Sequence, residues 1–362
     1  MKKRIMILAN NSGGLFDFRK DLIQEMLKKG HTIIAYTPFD TRVDELKEMS
    51  IDLREIKLDR RGMNPIKEFS LFRLFYKEIK REKPDLVLTY TIKPNLYGGI
   101  SCGLLNIPYA MNITGLGKAF INEGIIKKMI IFLYKRACKK ANVIFFENSG
   151  NRDVFVDNNI ISIGKTQVLN GAGVNTDYFV LQEYPKGDVT KFLFVGRIMQ
   201  EKGINELFEA MKRLIADGEK VELHVLGGFE ESYKEIVDKY TAEGWLYYYG
   251  YQLDVRPYIA KSSCFVLPSW HEGMANTNLE NAASGRPVIT SNIHGCMEAV
   301  EDSVTGYLTE VGNAEDLYRN MKKFLRLSYE ERRQMGLKGR ERMIQLFEKK
   351  KVVLATLEFL KL

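Results

Sequence analysis

The chain has 362 residues, 45% hydrophobic and 28% charged, a composition that excludes disorder and suits two globular cores. Its four cysteines, Cys102, Cys138, Cys264 and Cys296, stand far apart with no CxxC pair, which argues against a disulfide frame or a zinc site. The net charge of +8 is unevenly placed: residues 1–180 carry 29 Lys and Arg against 19 Asp and Glu, and residues 181–362 carry 25 against 27. The opening MKKRIMILANNSGG joins basic residues to an apolar stretch of about five, short of the ~7–15 of a signal-peptide core. It reads as a first buried parallel strand. The longest later apolar run, Met129 to Tyr134, is far below the ~20 residues of a membrane span. The expected place is the cytoplasm, with the chain peripheral to the membrane if it meets one.

Apolar runs at Ile5–Ala9, Thr32–Tyr36, Leu86–Thr89, Tyr109–Ile113 and Val143–Phe146 alternate with amphipathic stretches such as Phe18–Lys29 and Leu71–Lys83. The second half repeats the rhythm at Lys191–Val195, Val221–Leu226, Tyr247–Tyr249, Cys264–Pro268 and Pro287–Thr290, with helical patterns at Ile204–Asp217 and Ser232–Glu243. Continuous apolar strands separated by helices predict parallel, doubly wound sheets. The fold class expected is α/β, two Rossmann-like domains facing a central cleft. They span 1–175 and 188–345, and a C-terminal helix in 346–362 packs back toward the first domain. In such sheets ligands lie beyond the carboxyl ends of the strands.

Three segments of the second half carry chemistry. FVGRIMQEKG, residues 194–203, places Arg197 and Lys202 at a strand's carboxyl end, where two cations can grip a diphosphate or simply sit in solvent. PSWHEGMANTNLENAASGRPVI, residues 268–289, runs from a strand through a small-residue loop into a helix starting near Asn276, whose N-terminus is an anion site. Glu272 lies in that loop and Glu280 two turns into the helix. Glu272 alone is ambiguous with a cap; Glu280, on a small or apolar face, needs a partner, and sugar or ribose hydroxyls would serve. The loop Gly250–Asp254, with Gly250, Tyr251 and Gln252, could hold a flat base through backbone groups.

Together, the GR…EKG segment, the Glu-x7-Glu motif E-GMANTNL-E and the linker NGAGVNTDYF resemble the retaining glycosyltransferases of the GT-B fold, family 4, over nearly the whole chain. The resemblance implies that Arg197 and Lys202 hold the donor diphosphate and that Glu280 binds ribose. It implies that Glu272 binds the transferred sugar, with Gly273, Met274, Ala275, Asn276 and Thr277 touching sugar and phosphate. It implies no cofactor beyond a UDP-sugar donor, and the sequence has no DxD triplet for a metal. His271 and His294 stand near the expected cleft as sugar contacts or bystanders; His31 and His224 read as structural.

In the first domain NNSGGLFDFR, residues 10–19, brings Gly13 and Gly14, a close ligand approach or an ordinary tight turn, and Arg19 in the first turn of the next helix. TYTIKPNLYGG, residues 89–99, and NITGLG, residues 112–117, are similar to the subgroup acting on undecaprenyl-diphosphate-linked saccharides. Lys93, Asn95, Asn112 and Thr114 are the acceptor candidates there. Many family members carry a first-domain histidine that touches the donor sugar; here that stretch reads TYTIK, with Thr91 or Lys93 as replacements. Residues 124–141, GIIKKMIIFLYKRACKKA, form a basic amphipathic helix suited to an anionic membrane surface or to a core with one wet face.

Other readings stay open. A nicotinamide oxidoreductase lacks its GxGxxG after the first strand and an acid at the end of the second. A sugar-nucleotide epimerase of the same fold, or a non-catalytic sugar-nucleotide-binding protein, would share the donor pocket. An α-glucan phosphorylase is disfavoured by length, and nucleic acid by the lack of an interleaved basic and aromatic patch.

Overall fold

The computed structural model describes every residue except Arg60, Arg61, Met63, Lys118, Ala119 and 121–123. Two compact units result: Met1–Ala172 with Lys350–Leu362, and Gly173–Lys349.

The first unit is built on a seven-stranded parallel sheet in the order β3-β2-β1-β4-β5-β6-β7. Its strands are β1 (Arg4–Leu8), β2 (Thr32–Thr37), β3 (Asp52–Glu55), β4 (Leu86–Tyr90), β5 (Tyr109–Ile113), β6 (Val143–Phe146) and β7 (Thr166–Val168). Central strands read as unbroken apolar runs because helices cover both faces. On one face Met6, Leu8 and Val87 pack with Leu71, Phe75, Ile79, Cys102, Tyr134 and Ala137. On the other, Ile5, Ile7 and Leu88 pack with Leu22, Ile23 and Met26, and with Val352, Val353, Leu357 and Leu360 of the last helix, Lys349–Leu360.

The second unit repeats the plan with six parallel strands, β8 (Thr190–Val195), β9 (Val221–Leu226), β10 (Leu246–Tyr248), β11 (Cys264–Leu267), β12 (Val288–Ser291) and β13 (Gly306–Thr309). Their order is β10-β9-β8-β11-β12-β13. The helix Ile204–Ala216 forms because Ile204, Leu207, Phe208, Met211 and Leu214 recur at helical spacing, and all five are buried.

The strands missing from the sequence reading are β3, β7 and β13. All three lie at sheet edges, where one neighbour is lost; DLRE and TQV carry no apolar run, and GYLT, though largely buried, is only four residues long. The first helix is a correction. It spans Ser12–Lys28, with Asn11 capping it by accepting from the Gly14 N–H, so Gly13 and Gly14 are helical instead of lying in a loop.

In each sheet the chain leaves a central strand to one side and returns on the other. Those reversals fall between β1 and β4 and between β8 and β11, which is where an open α/β sheet offers a ligand crevice.

Candidate active site

In the second unit the loop from β8, Gly196–Gly203, and the loop from β11, Pro268–Ala275, are neighbours because their strands pair. The Trp270 N–H donates to the Glu201 carbonyl (2.9 Å), and the Ser269 hydroxyl donates to the same oxygen (3.2 Å). Gly203 has φ +70°, and a Cβ there would meet the Pro268 carbonyl oxygen at 2.0 Å. Only glycine allows the two loops this close.

The contact aligns two pairs of side chains. Lys202 forms an ion pair with Glu272, their side chains only 18% and 13% exposed. His271 Nε2 lies 3.3 Å from a Glu201 carboxylate oxygen. Arg197, half exposed, reaches outward in the same loop and lies 3.5 Å from Glu230, which follows β9. Gly295, with φ +92°, backs the Glu272 peptide so closely that a Cβ would fall 2.6 Å from its carbonyl oxygen.

The helix Asn276–Ala283 opens at the end of this loop. No side chain caps its N-terminus, as is also true of the helices Ile125–Cys138, Ile204–Ala216 and Lys234–Ala242, while Asn11, Asn64, Asn148, Asn313 and Ser328 cap others. The Ala275 N–H is taken by the Gly295 carbonyl (2.7 Å), and Asn276 Oδ1 is buried without a hydrogen-bond partner. The Asn276 N–H is also taken, by the Met274 carbonyl (3.0 Å), so it is the helix dipole that favours an anion at this point. Glu280 is one turn into the helix, not two, because the helix starts at Asn276 itself. It is half-buried and shares a helical face with Asn276 and Thr277, while Met274 and Ala275 are buried in the core.

Gly250, Tyr251 and Gln252 lie just beyond β10, at the sheet's outer edge. The Gly250 carbonyl accepts from the Gly227 N–H (2.8 Å), Gln252 Nε2 donates to the Tyr249 carbonyl (2.7 Å), and Tyr251 is exposed. Among the histidines, His224 stacks on Tyr247 and Tyr249 and lies 3.1 Å from Glu222. Burial lowers its pKa despite that carboxylate. His31 accepts from the Lys3 N–H, and His294 lies 3.0 Å from Glu298.

The first unit's switch point brings the loop after β1 beside the one after β4, but most acceptor candidates there are engaged internally. Asp40 fills the space at the first helix's N-terminus: its Oδ1 accepts from the Ser12 and Gly13 N–H groups (both 3.0 Å) and from the Ser12 hydroxyl (2.6 Å). A Cβ on Gly13 would meet Thr41 Oγ1 at 2.2 Å, so that glycine serves this packing. Burial would raise the Asp40 pKa, but the hydrogen bonds from Ser12, Gly13 and Thr41 outweigh it and hold the carboxyl below its usual value. Arg19 sits two turns into the helix instead of its first turn, paired with Glu147 at 2.6 Å and stacked over Tyr90. Asn95 is buried, accepting from the Thr89 hydroxyl (2.6 Å) and donating to the Asn112 carbonyl (2.8 Å). Asn112 donates to the Thr89 carbonyl (3.2 Å). These two asparagines tie β4 to β5. Lys93 pairs with Glu68 at 2.5 Å and donates to the Gly62 carbonyl (2.7 Å). Thr114 is half-buried just past β5, and Thr91 holds a left-handed φ of +72° just past β4.

Residues 4–148 match the glycosyl transferase 4-like family, and residues 181–342 match the glycosyl transferases group 1 family. The chain is a glycosyltransferase of the GT-B fold. It is 24% identical over 331 residues, 87% of each chain, to a Campylobacter jejuni enzyme named N,N'-diacetylbacillosaminyl-diphospho-undecaprenol alpha-1,3-N-acetylgalactosaminyltransferase. It is 26% identical over 275 residues, 70% of each chain, to an Escherichia coli UDP-Gal:alpha-D-GlcNAc-diphosphoundecaprenol alpha-1,3-galactosyltransferase. Its fold superimposes on Anabaena HepE, solved with UDP and glucose, with a TM-score of 0.81 at 14% identity over 99% of both chains. The epimerase reading draws no support from these relatives.

Sequence reasoning missed four residues that shape the enzyme. Asp40, Glu201 and Glu230 each need a partner from another loop, so nothing local marks them. Arg286 did carry a signal, a lone cation in the small and apolar run AASGRPVI. It is fully buried, and its guanidinium donates to the carbonyls of Ile259 (2.9 Å), Gln182 (3.2 Å), Glu183 (2.8 Å) and Ala260 (2.9 Å).

Proposed function

We propose that the enzyme transfers a hexose or N-acetylhexosamine from a UDP-sugar to an undecaprenyl-diphosphate-linked saccharide, with retention and without a resident metal ion. The observation that carries this reading is the uncapped N-terminus of the helix Asn276–Ala283, set on a loop whose Glu272 is ion-paired with Lys202. Transfer breaks the bond between the sugar's C1 and the diphosphate oxygen. The acceptor hydroxyl oxygen bonds to C1, and its proton passes to the departing phosphate on the same face. Negative charge grows on that phosphate, so Lys202, Arg197 and the dipole at the N-terminus of the helix Asn276–Ala283 act where stabilisation counts most. They supply the neutralisation that a metal would otherwise give. Glu272, released from Lys202 by the incoming phosphate, accepts from the sugar hydroxyls, with His271 beside it; Glu280 accepts from the ribose, and Gly250–Gln252 hold the base.

On the acceptor side Lys93 and Thr114 face the saccharide diphosphate, and Asn95 and Asn112 hold the two loops in register. The names of the Campylobacter and Escherichia relatives support this acceptor class. A lipid-linked acceptor places the enzyme on the inner face of the cell membrane. The helix Ile125–Cys138 supports that location, because it leaves Ile125, Ile126, Met129 and Phe132 exposed among lysines. Among the described residues no helix is long and apolar enough to cross a membrane.

The test is a panel of UDP-sugars with and without a synthetic prenyl-diphosphate-linked saccharide, product anomers being read by NMR. Absence of UDP release from the folded enzyme with every donor and acceptor would remove the donor assignment. An inverted product would remove retention, and loss of activity in EDTA restored by magnesium would remove metal independence.

A further inference from the structure

A second helix of the first unit exposes apolar side chains beside basic ones. In Pro65–Glu82, Ile66 is 80% and Phe69 61% exposed, both within the first two turns. Behind them Phe69, Phe72 and Tyr76 form a ladder of rings with centroids 6.3 Å apart at each step. Aromatic rings flanked by lysine and arginine are the side chains that settle at a lipid headgroup boundary.

The position of this helix links it to Ile125–Cys138. Leu71, Phe75 and Ile79 of the one enter the same core as Tyr134, Ala137 and Cys138 of the other, and the helix Gly99–Leu105 touches both. The two therefore lie on the same face of the sheet. Each returns the chain from a strand's carboxyl end to the start of the next parallel strand, so both begin at the carboxyl edge. Ile66 and Phe69 thus share one end of one face with Ile125, Ile126 and Met129.

Among the described residues the exposed charge at that end is mostly basic. Lys67 and Arg73 of the first helix and Lys128 of the second are exposed, Lys77, Lys80, Arg81, Lys135 and Arg136 follow further along the two helices, and the exposed Asp59 lies 4.0 Å from Lys67. The acids of the first helix are engaged: Glu68 with Lys93, Glu78 with Arg81, and Glu82 with Arg4 and Arg54. The second helix has none. Apolar tips within a mostly basic surround complement an anionic bilayer and disfavour a second copy of the same face.

We propose that Ile66 and Phe69, backed by Phe72, Arg73 and Lys77, form a second contact with an anionic lipid surface, and that the unit docks through two helix ends. This rests on the membrane reading above and adds a consequence: one helix leaves rotation about its own axis free, and two fix the unit's tilt on the bilayer.

The test is flotation of the full chain with phosphatidylcholine vesicles with and without phosphatidylglycerol, using Ile66→Ser with Phe69→Ser, Ile125→Ser with Met129→Ser, and all four together. Each pair should weaken binding to the anionic vesicles by about tenfold or more, with the thermal midpoint unchanged, and the four should weaken it by about the product. If the Ile66 and Phe69 pair binds like the unaltered chain while the other pair does not, the second contact is overturned and the membrane reading survives. If the unaltered chain does not bind, both fall. A dimer in gel filtration that the Ile66 and Phe69 pair converts to monomer would overturn the proposal in favour of self-association.

Discussion

Replacing Lys202 by Ala separates what this residue does for folding from what it does for turnover. Its side chain is mostly buried against Glu272, so its loss leaves a largely buried carboxylate without its cation. Breaking a fully buried pair costs ~3–5 kcal/mol; with 18% and 13% of these side chains still exposed, about 2 kcal/mol is expected. For a unit of this size that lowers the thermal midpoint by about 4–8 °C. Turnover should fall by ~10²–10³, the scale for one donor that stabilises leaving-group charge. Adding Glu272→Gln to Lys202→Ala removes the orphaned charge and should return most of the stability, while turnover stays low or falls further. The assay is UDP release and thermal melting on all four corners of the cycle, at a temperature where each variant is folded. If the double variant regained turnover along with stability, Lys202 would be a structural partner of Glu272 and the donor assignment would fail.

Gly203→Ala should push the β8 and β11 loops apart, because its Cβ meets the Pro268 carbonyl; loss of most turnover with a stability cost of ~3 kcal/mol is expected by kinetics and melting. Arg286→Met leaves buried carbonyls unsatisfied and should cost more than ~4 kcal/mol in denaturant unfolding, with Arg286→Lys only partly better since an ammonium cannot reproduce the planar fork. Asn95→Ala should cost about 1–3 kcal/mol in stability, measured the same way, because Asn95 bonds to Thr89 and Asn112. Asp40 has a depressed folded pKa, so its stabilisation is full above the unfolded value of about 4 and is lost as pH falls below it. Asp40→Asn should flatten that acid limb of the midpoint-versus-pH curve.

The doubly wound sheets were legible in the sequence because a strand buried on both faces must be largely apolar, and β5 and β6 begin and end where their runs do. The GR…EKG and Glu-x7-Glu segments were legible because chain connectivity alone puts them after β8 and β11. What tertiary structure decided is which side chains have partners. Asn95 and Asn112 read as polar loop candidates, yet they pair because β4 and β5 are adjacent. Gly13 and Gly14 read as a close ligand approach or a tight turn, yet Asp40, 27 residues away from Gly13, completes a helix there. Periodicity records how much of each residue is buried, which is a local property. Hydrogen bonds and ion pairs between loops depend on strand order, and strand order appears in no single stretch of sequence.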